Sequence, residues 1–234
     1  MSTFYYGIQM RLISLLIGFM LLIACGNSPS PPSQPSGDSR AEPAPRPQAA
    51  DGRPVIVAFG DSLTAGFGAD TGKSYPDFLQ LELDRRGYRY RVVNAGISGE
   101  TTTDAVARLS TVTALKPAVA IVEFGGNDGL RGLPVAATRT NLDQIVVELQ
   151  QSGAAILLAG MTLPPNYGPD YIREFQRIYS GIATKDKVAL IPFLLAGVAG
   201  TSRYMQQDGL HPTAEGNRLV AATVMQYLEP LLRR

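Results

Sequence analysis

From Pro54 onward, short apolar runs rich in Val and Ile alternate with longer segments of helical period, a pattern open to few folds. Five such runs are present: Val55 to Phe59, Arg91 to Asn94, Ala118 to Phe124, Ala154 to Leu158 and Val188 to Leu194. Helices are expected over Tyr75 to Arg86, Thr102 to Leu115, Thr138 to Gln151, Tyr171 to Thr184 and Thr213 to Leu232. In the last of these, Val220, Val224, Tyr227, Leu228 and Leu231 share one face. Runs that are continuously apolar, rather than alternating, belong to strands buried on both faces. The sheet should therefore be parallel, with right-handed crossovers and helices on each side. The expected fold is α/β, a three-layer α/β/α sandwich around a five-stranded parallel sheet of flavodoxin-like type. The 181 residues from 54 to 234 suit one domain.

Function in such sheets collects in the loops at the carboxyl ends of the strands. Four of the five strand ends carry polar or glycine clusters: Gly60-Asp61-Ser62-Leu63-Thr64-Ala65-Gly66, Asn94-Ala95-Gly96-Ile97-Ser98-Gly99, Gly125-Gly126-Asn127-Asp128 and Asp208-Gly209-Leu210-His211-Pro212. Composition narrows what these loops can do. With 21 Lys plus Arg against 20 Asp plus Glu, no basic surplus exists to neutralise a phosphate backbone, so a nucleic-acid partner is not expected. One histidine and one cysteine cannot supply a His/Cys zinc cluster, and neither a metal nor a cofactor is expected.

A serine hydroxyl acting as a nucleophile needs a base, and His211 is the one imidazole in the chain. Asp208 lies three residues upstream, so a turn can bring its carboxylate to Nδ1, fixing the tautomer and leaving Nε2 for Ser62. Pro212 confines His211 to extended backbone and suits the first turn of the final helix. Asp61 and Asp128 read as structural acceptors for loop N–H groups. The serine context lacks the second glycine of G-x-S-x-G, which argues against the strained elbow of α/β-hydrolases.

The four blocks resemble, in order and over the whole domain, those of the SGNH or GDSL-type hydrolases. Leu163-Pro164-Pro165-Asn166-Tyr167-Gly168 is further similar to the thioesterase I, lysophospholipase L1 and arylesterase branch. The resemblance implies a serine esterase or thioesterase acting on small-molecule esters through an acyl-enzyme. It assigns the oxyanion hole to the backbone N–H groups of Ser62 and Gly96 and to the side-chain amide of Asn127. The loop from Met161 to Tyr171, with Leu163, Pro164 and Tyr167, is expected to form one wall of an acyl groove. Carbohydrate O-acetyl esterases fall within the same wider family. A flavodoxin-like phosphate-binding module would use the same loop after the first strand but leaves His211 without a task, and a non-catalytic display lipoprotein would not need the full set.

The segment before the domain reads differently. Leu12 to Ala24 is a 13-residue apolar run behind Arg11, too short to span a bilayer and suited to the core of a signal peptide. It ends Leu22-Ile23-Ala24-Cys25-Gly26, which resembles a bacterial lipobox. The expected organisation is a lipoprotein signal over 1–24, a lipidated Cys25 opening a disordered tether over 25–53, and the catalytic domain over 54–234. Seven of the 27 residues from Asn27 to Arg53 are proline, with little to bury. The chain is thus expected to be exported and membrane-anchored through Cys25.

Overall fold

The computed structural model describes residues 52–233. The expected signal segment, Cys25 and nearly all of the tether lie outside the described residues. The elements, in chain order, are β1 (Val55–Gly60), α1 (Ser62–Ala65), α2 (Tyr75–Arg85), β2 (Arg91–Gly96), α3 (Thr102–Ala107), α4 (Leu109–Thr113), β3 (Val119–Glu123), α5 (Gly126–Leu130), α6 (Val135–Gln151), β4 (Ala155–Ala159), α7 (Pro169–Asp186), β5 (Ala189–Ile191) and α8 (Ala214–Leu228). Two single 3₁₀ turns, Pro165–Tyr167 and Glu229–Leu231, complete the set.

The five strands pair in parallel in the order β2-β1-β3-β4-β5. The chain runs outward from β1 to β2, then back across to β3, β4 and β5. Right-handed crossovers therefore send α2 to one face and α3, α6 and α7 to the other, and α8, which follows the edge strand β5, returns to the face of α2. Packing agrees: α2 lies against α8, while α6 packs against both α3 and α7. β1 and β3 are buried along their whole length, and Phe59, Ile121, Leu142, Ile145, Phe175 and Tyr179 fill the layers on either side. Register sets Gly60 beside Gly96 on one flank and beside Glu123 on the other. Three strand ends thus open at one level, beside the switch point between β1 and β3 where the order reverses.

Departures from the sequence expectation have local causes. β2 is an edge strand and is only half-buried, so its apolar run does not carry two covered faces. β5 stops at Ile191 because Pro192 has no N–H for the ladder. α8 ends at Leu228, with Pro230 in the following 3₁₀ turn. The helix expected over Thr102 to Leu115 is two helices, with the break at Arg108. There the guanidinium turns inward: it pairs with Glu100 at 2.7 Å, donates to the carbonyl oxygens of Ala95 (3.0 Å) and Gly60 (3.3 Å), and lies over the Phe59 ring. Those carbonyls end β1 and β2, so Arg108 ties both strand ends together.

Candidate functional site

The first strand ends at a glycine for a steric reason. A Cβ on Gly60 would come within 2.1 Å of Thr64 Oγ1 and 2.5 Å of Glu123 Oε2. Asp61 then caps α1, its Oδ1 accepting the N–H of Leu63 at 3.1 Å, which leaves Ser62 as the first helical residue. Its own N–H has no intrahelical partner, as for any residue in a first helical turn.

Across the sheet, the segment before α8 carries the imidazole. Asp208 Oδ1 accepts the N–H groups of Leu210 (2.9 Å) and His211 (3.0 Å), so a tight turn fixes the carboxylate on its own backbone. Oδ2 sits 2.6 Å from His211 Nδ1, and His211 Nε2 sits 2.8 Å from Ser62 Oγ. Gln206 holds this loop in place. Its N–H reaches the His211 carbonyl at 2.7 Å, and its amide donates to the carbonyl oxygens of Phe67 (2.7 Å) and Pro212 (2.9 Å). The Phe67 ring covers the imidazole, with centroids 4.7 Å apart. Burial raises the Asp208 carboxyl, but hydrogen bonds from the His211 ring and from the N–H groups of His211 and Leu210 outweigh it and hold the group at about 2. Asp208 is therefore anionic wherever the protein is folded at ordinary pH. A carboxylate, an imidazole and a hydroxyl in one hydrogen-bonded row can strip a proton from the hydroxyl and stabilise the resulting imidazolium.

The loop after β3 supplies the amide. Gly125 has φ +106°, and a Cβ there would meet the Tyr179 hydroxyl at 2.4 Å. Two residues on, Asn127 Nδ2 donates to Asp61 Oδ2 at 3.0 Å and to the Glu100 carbonyl at 2.9 Å. Asp128 is a loop acceptor: its Oδ2 receives the N–H of Thr102 at 2.9 Å and its Oδ1 the Thr102 hydroxyl at 2.5 Å.

A cavity of about 630 Å³ opens beside Ser62 and His211. Its apolar walls include Leu163, Pro164, Phe193, Leu195 and Leu210, with Phe67 beside the imidazole. Two expected site residues are corrected. Gly96 is still within β2: its N–H donates to Asn94 Oδ1 at 2.9 Å, and it packs against the backbone of Thr64 and Ala65. Gly99, three residues further on, lines the cavity instead, with φ +83° and no acceptor for its N–H among the described residues. Ending the second strand at Asn94 displaced Gly96 into the loop; the second glycine of the same loop was the available signal. Tyr167 does not face the cavity, because its hydroxyl donates to the Leu130 carbonyl at 2.8 Å while its ring stacks on Tyr171. The sequence reading also missed the walls contributed after β5, including Phe193 and Leu195.

A three-layer parallel α/β sandwich with Ser, His and Asp in one row at its carboxyl edge defines a class of serine hydrolase. Within that class the chain belongs to the GDSL-like lipase/acylhydrolase family, whose model matches residues 58–219. It is 44% identical over 179 residues to esterase TesA of Pseudomonas aeruginosa, covering 76% of this chain and 89% of the relative. It is 36% identical to the thioesterase 1/protease 1/lysophospholipase L1 of Escherichia coli, covering 76% and 85%. The crystal structure of the esterase EstA from Pseudoalteromonas sp., inhibited by monoethylphosphonate, superposes with a TM-score of 0.72 at 33% identity, covering 75% and 97%.

Proposed function

We propose that the chain hydrolyses carboxylic esters and thioesters, with Ser62 as nucleophile, His211 as base and Asp208 as the group that orients it. The observation that carries this is the continuous row from Asp208 through His211 to Ser62 Oγ at 2.6 and 2.8 Å. In this reading Ser62 Oγ attacks the acyl carbon as its proton passes to Nε2. The tetrahedral oxyanion is met by the N–H groups of Ser62 and Gly99 and by the Asn127 amide, which turns one of its two N–H groups from the Glu100 carbonyl to the oxyanion while Asp61 keeps the other. Collapse expels the alcohol or thiol, which takes the proton from the imidazolium, and water repeats the sequence to free the acid. Relatives named as an esterase, an arylesterase and a thioesterase/lysophospholipase support aryl esters, acyl thioesters and lysophospholipids as the substrate class. The deciding experiment is turnover of p-nitrophenyl esters and an acyl thioester, followed by stoichiometric labelling with a phosphonate. Labelling at a residue other than Ser62, or none, overturns the assignment.

The cavity supports an acyl site walled from three loops. Leu210 is a clean probe because it lines the cavity yet remains 40% exposed, so its loss leaves no sealed void. Leu210→Ala is expected to lower kcat/KM for long acyl chains more than for acetyl, by up to about 0.8 kcal/mol for each lost methylene contact. Equal losses at every chain length would remove Leu210 from the acyl wall.

The leader supports an exported lipoprotein tethered through Cys25, and among the described residues no helix is long and apolar enough to cross a membrane. Two acyl chains on one cysteine give the multiple-chain anchoring that a single chain does not. Cys25→Ala should abolish lipid labelling and membrane partitioning while leaving esterase activity per folded molecule unchanged. Labelling that persists in the variant excludes the anchor and leaves the enzyme assignment standing.

A further inference from the structure

The fully apolar run of β3 ends in a carboxylate, Glu123, which is completely buried and which the relay does not use. Its Oε2 accepts the Thr64 hydroxyl at 2.8 Å and the Asp61 N–H at 3.2 Å, while its Oε1 is buried with no partner. Asp61, equally buried, lies within hydrogen-bond reach of it, and its own Oδ2 holds Asn127 Nδ2 at 3.0 Å. The ionisable neighbours do not compensate two charges. Tyr75 from α2 reaches only Thr64, and Tyr179 from α7 donates to the Phe124 carbonyl. Arg108 is paired with Glu100, and His211 belongs to the relay. Two buried carboxylates in contact, one with an unsolvated oxygen, cannot both be ionised without a cation between them.

We propose that Glu123 is a positioning residue, held as a neutral acid, that shares its proton with Asp61 and thereby keeps Asp61 a single anionic acceptor for the Asn127 amide. The consequence is that Nδ2 of Asn127, rather than its carbonyl oxygen, is kept between Asp61 and the Glu100 carbonyl, beside the nucleophile. Burial and the neighbouring Asp61 charge push Glu123 well above the usual carboxylate range, and burial pushes Asp61 to about 6, in line with one shared proton. The part of this inference that concerns the oxyanion hole rests on the function proposed above. The protonation of Glu123 does not.

The protonation is read from stability, without turnover. Between the unfolded and folded pKa values of Glu123 the native state holds one more proton than the unfolded chain, so stability falls as pH rises, about tenfold in the folding constant per pH unit. Glu123→Gln removes that titration and keeps the shape. The variant is therefore expected to gain stability over wild type progressively from about pH 5 to about pH 8. Parallel denaturation curves across that range would mean an ionised Glu123 and overturn the proposal.

The positioning role is read from kcat. Asn127→Ala is expected to lower kcat by about 10² to 10³, the usual loss for one oxyanion donor. Glu123→Ala should lower kcat by at least about tenfold with little change in KM, and Glu123→Gln should restore most of it. In the Asn127→Ala background, Glu123→Ala should cost less than about twofold more. Full additivity in that background, or failure of Glu123→Gln to restore kcat, would show that Glu123 does not act through Asn127. Ser62→Ala being active would instead sink the proposed reaction while leaving the stability result intact.

Discussion

Ser62→Ala is expected to lower kcat/KM for ester hydrolysis by about 10⁴-fold or more, with the thermal unfolding of the domain unchanged. The hydroxyl is half-buried at the start of a single helical turn, and its one side-chain partner is His211 Nε2 at 2.8 Å, so the fold barely depends on it. His211→Ala should lose as much. The two residues form one proton-transfer unit, and once either is gone the other has nothing to act on. The double variant should therefore be hardly slower than either single one. The measurement is steady-state kinetics on one p-nitrophenyl ester across the four proteins. Losses that multiply would mean two independent contributions and would dissolve the relay. Residual rate in all three variants is expected from the oxyanion donors and the cavity, which remain in place.

Most of this arrangement is legible in the sequence because its determinants are local. Val55 to Phe59 and Ala118 to Phe124 are apolar without alternation, which only a doubly covered strand tolerates, and both are central in the sheet. Asp208 and His211 are three residues apart, so their contact is a property of one turn. What was not legible depends on where elements stop. Asn94-Ala95-Gly96 continues β2 because its partner β1 runs on to Gly60, and no property of the loop itself says so. The break at Arg108 requires carbonyls of two other strand ends, at Gly60 and Ala95, to be in reach. Tyr167 reads as a cavity residue from its loop, yet the Leu130 carbonyl on another element claims its hydroxyl. Glu123 was passed over, counted within the apolar run from Ala118 to Phe124. A carboxylate closing an otherwise apolar strand carries a cost that local sequence cannot explain, and its explanation is tertiary.

Replacing Asp208 discriminates between charge and tautomer, and the order of effects is the test. Oδ1 is already occupied by two donors, the N–H groups of Leu210 and His211, while Oδ2 alone faces His211 Nδ1. In Asp208→Asn the amide oxygen must therefore take the Oδ1 position and the NH₂ must fall on Nδ1. A donor there forces the imidazole proton onto Nε2, where it can no longer accept from Ser62. The expected loss in kcat is about 10⁴-fold, as for a triad locked in the wrong tautomer. Asp208→Ala removes the charge but leaves the ring free to place its proton on either nitrogen, so it should be the less damaged variant despite the larger change in shape. Because the wild-type carboxyl is held at about 2, it does not titrate in the working range. In Asp208→Asn, accordingly, no pH in the working range should restore the rate. An alanine variant as slow as the asparagine variant, or slower, would show that the tautomer of His211 is not what Asp208 controls.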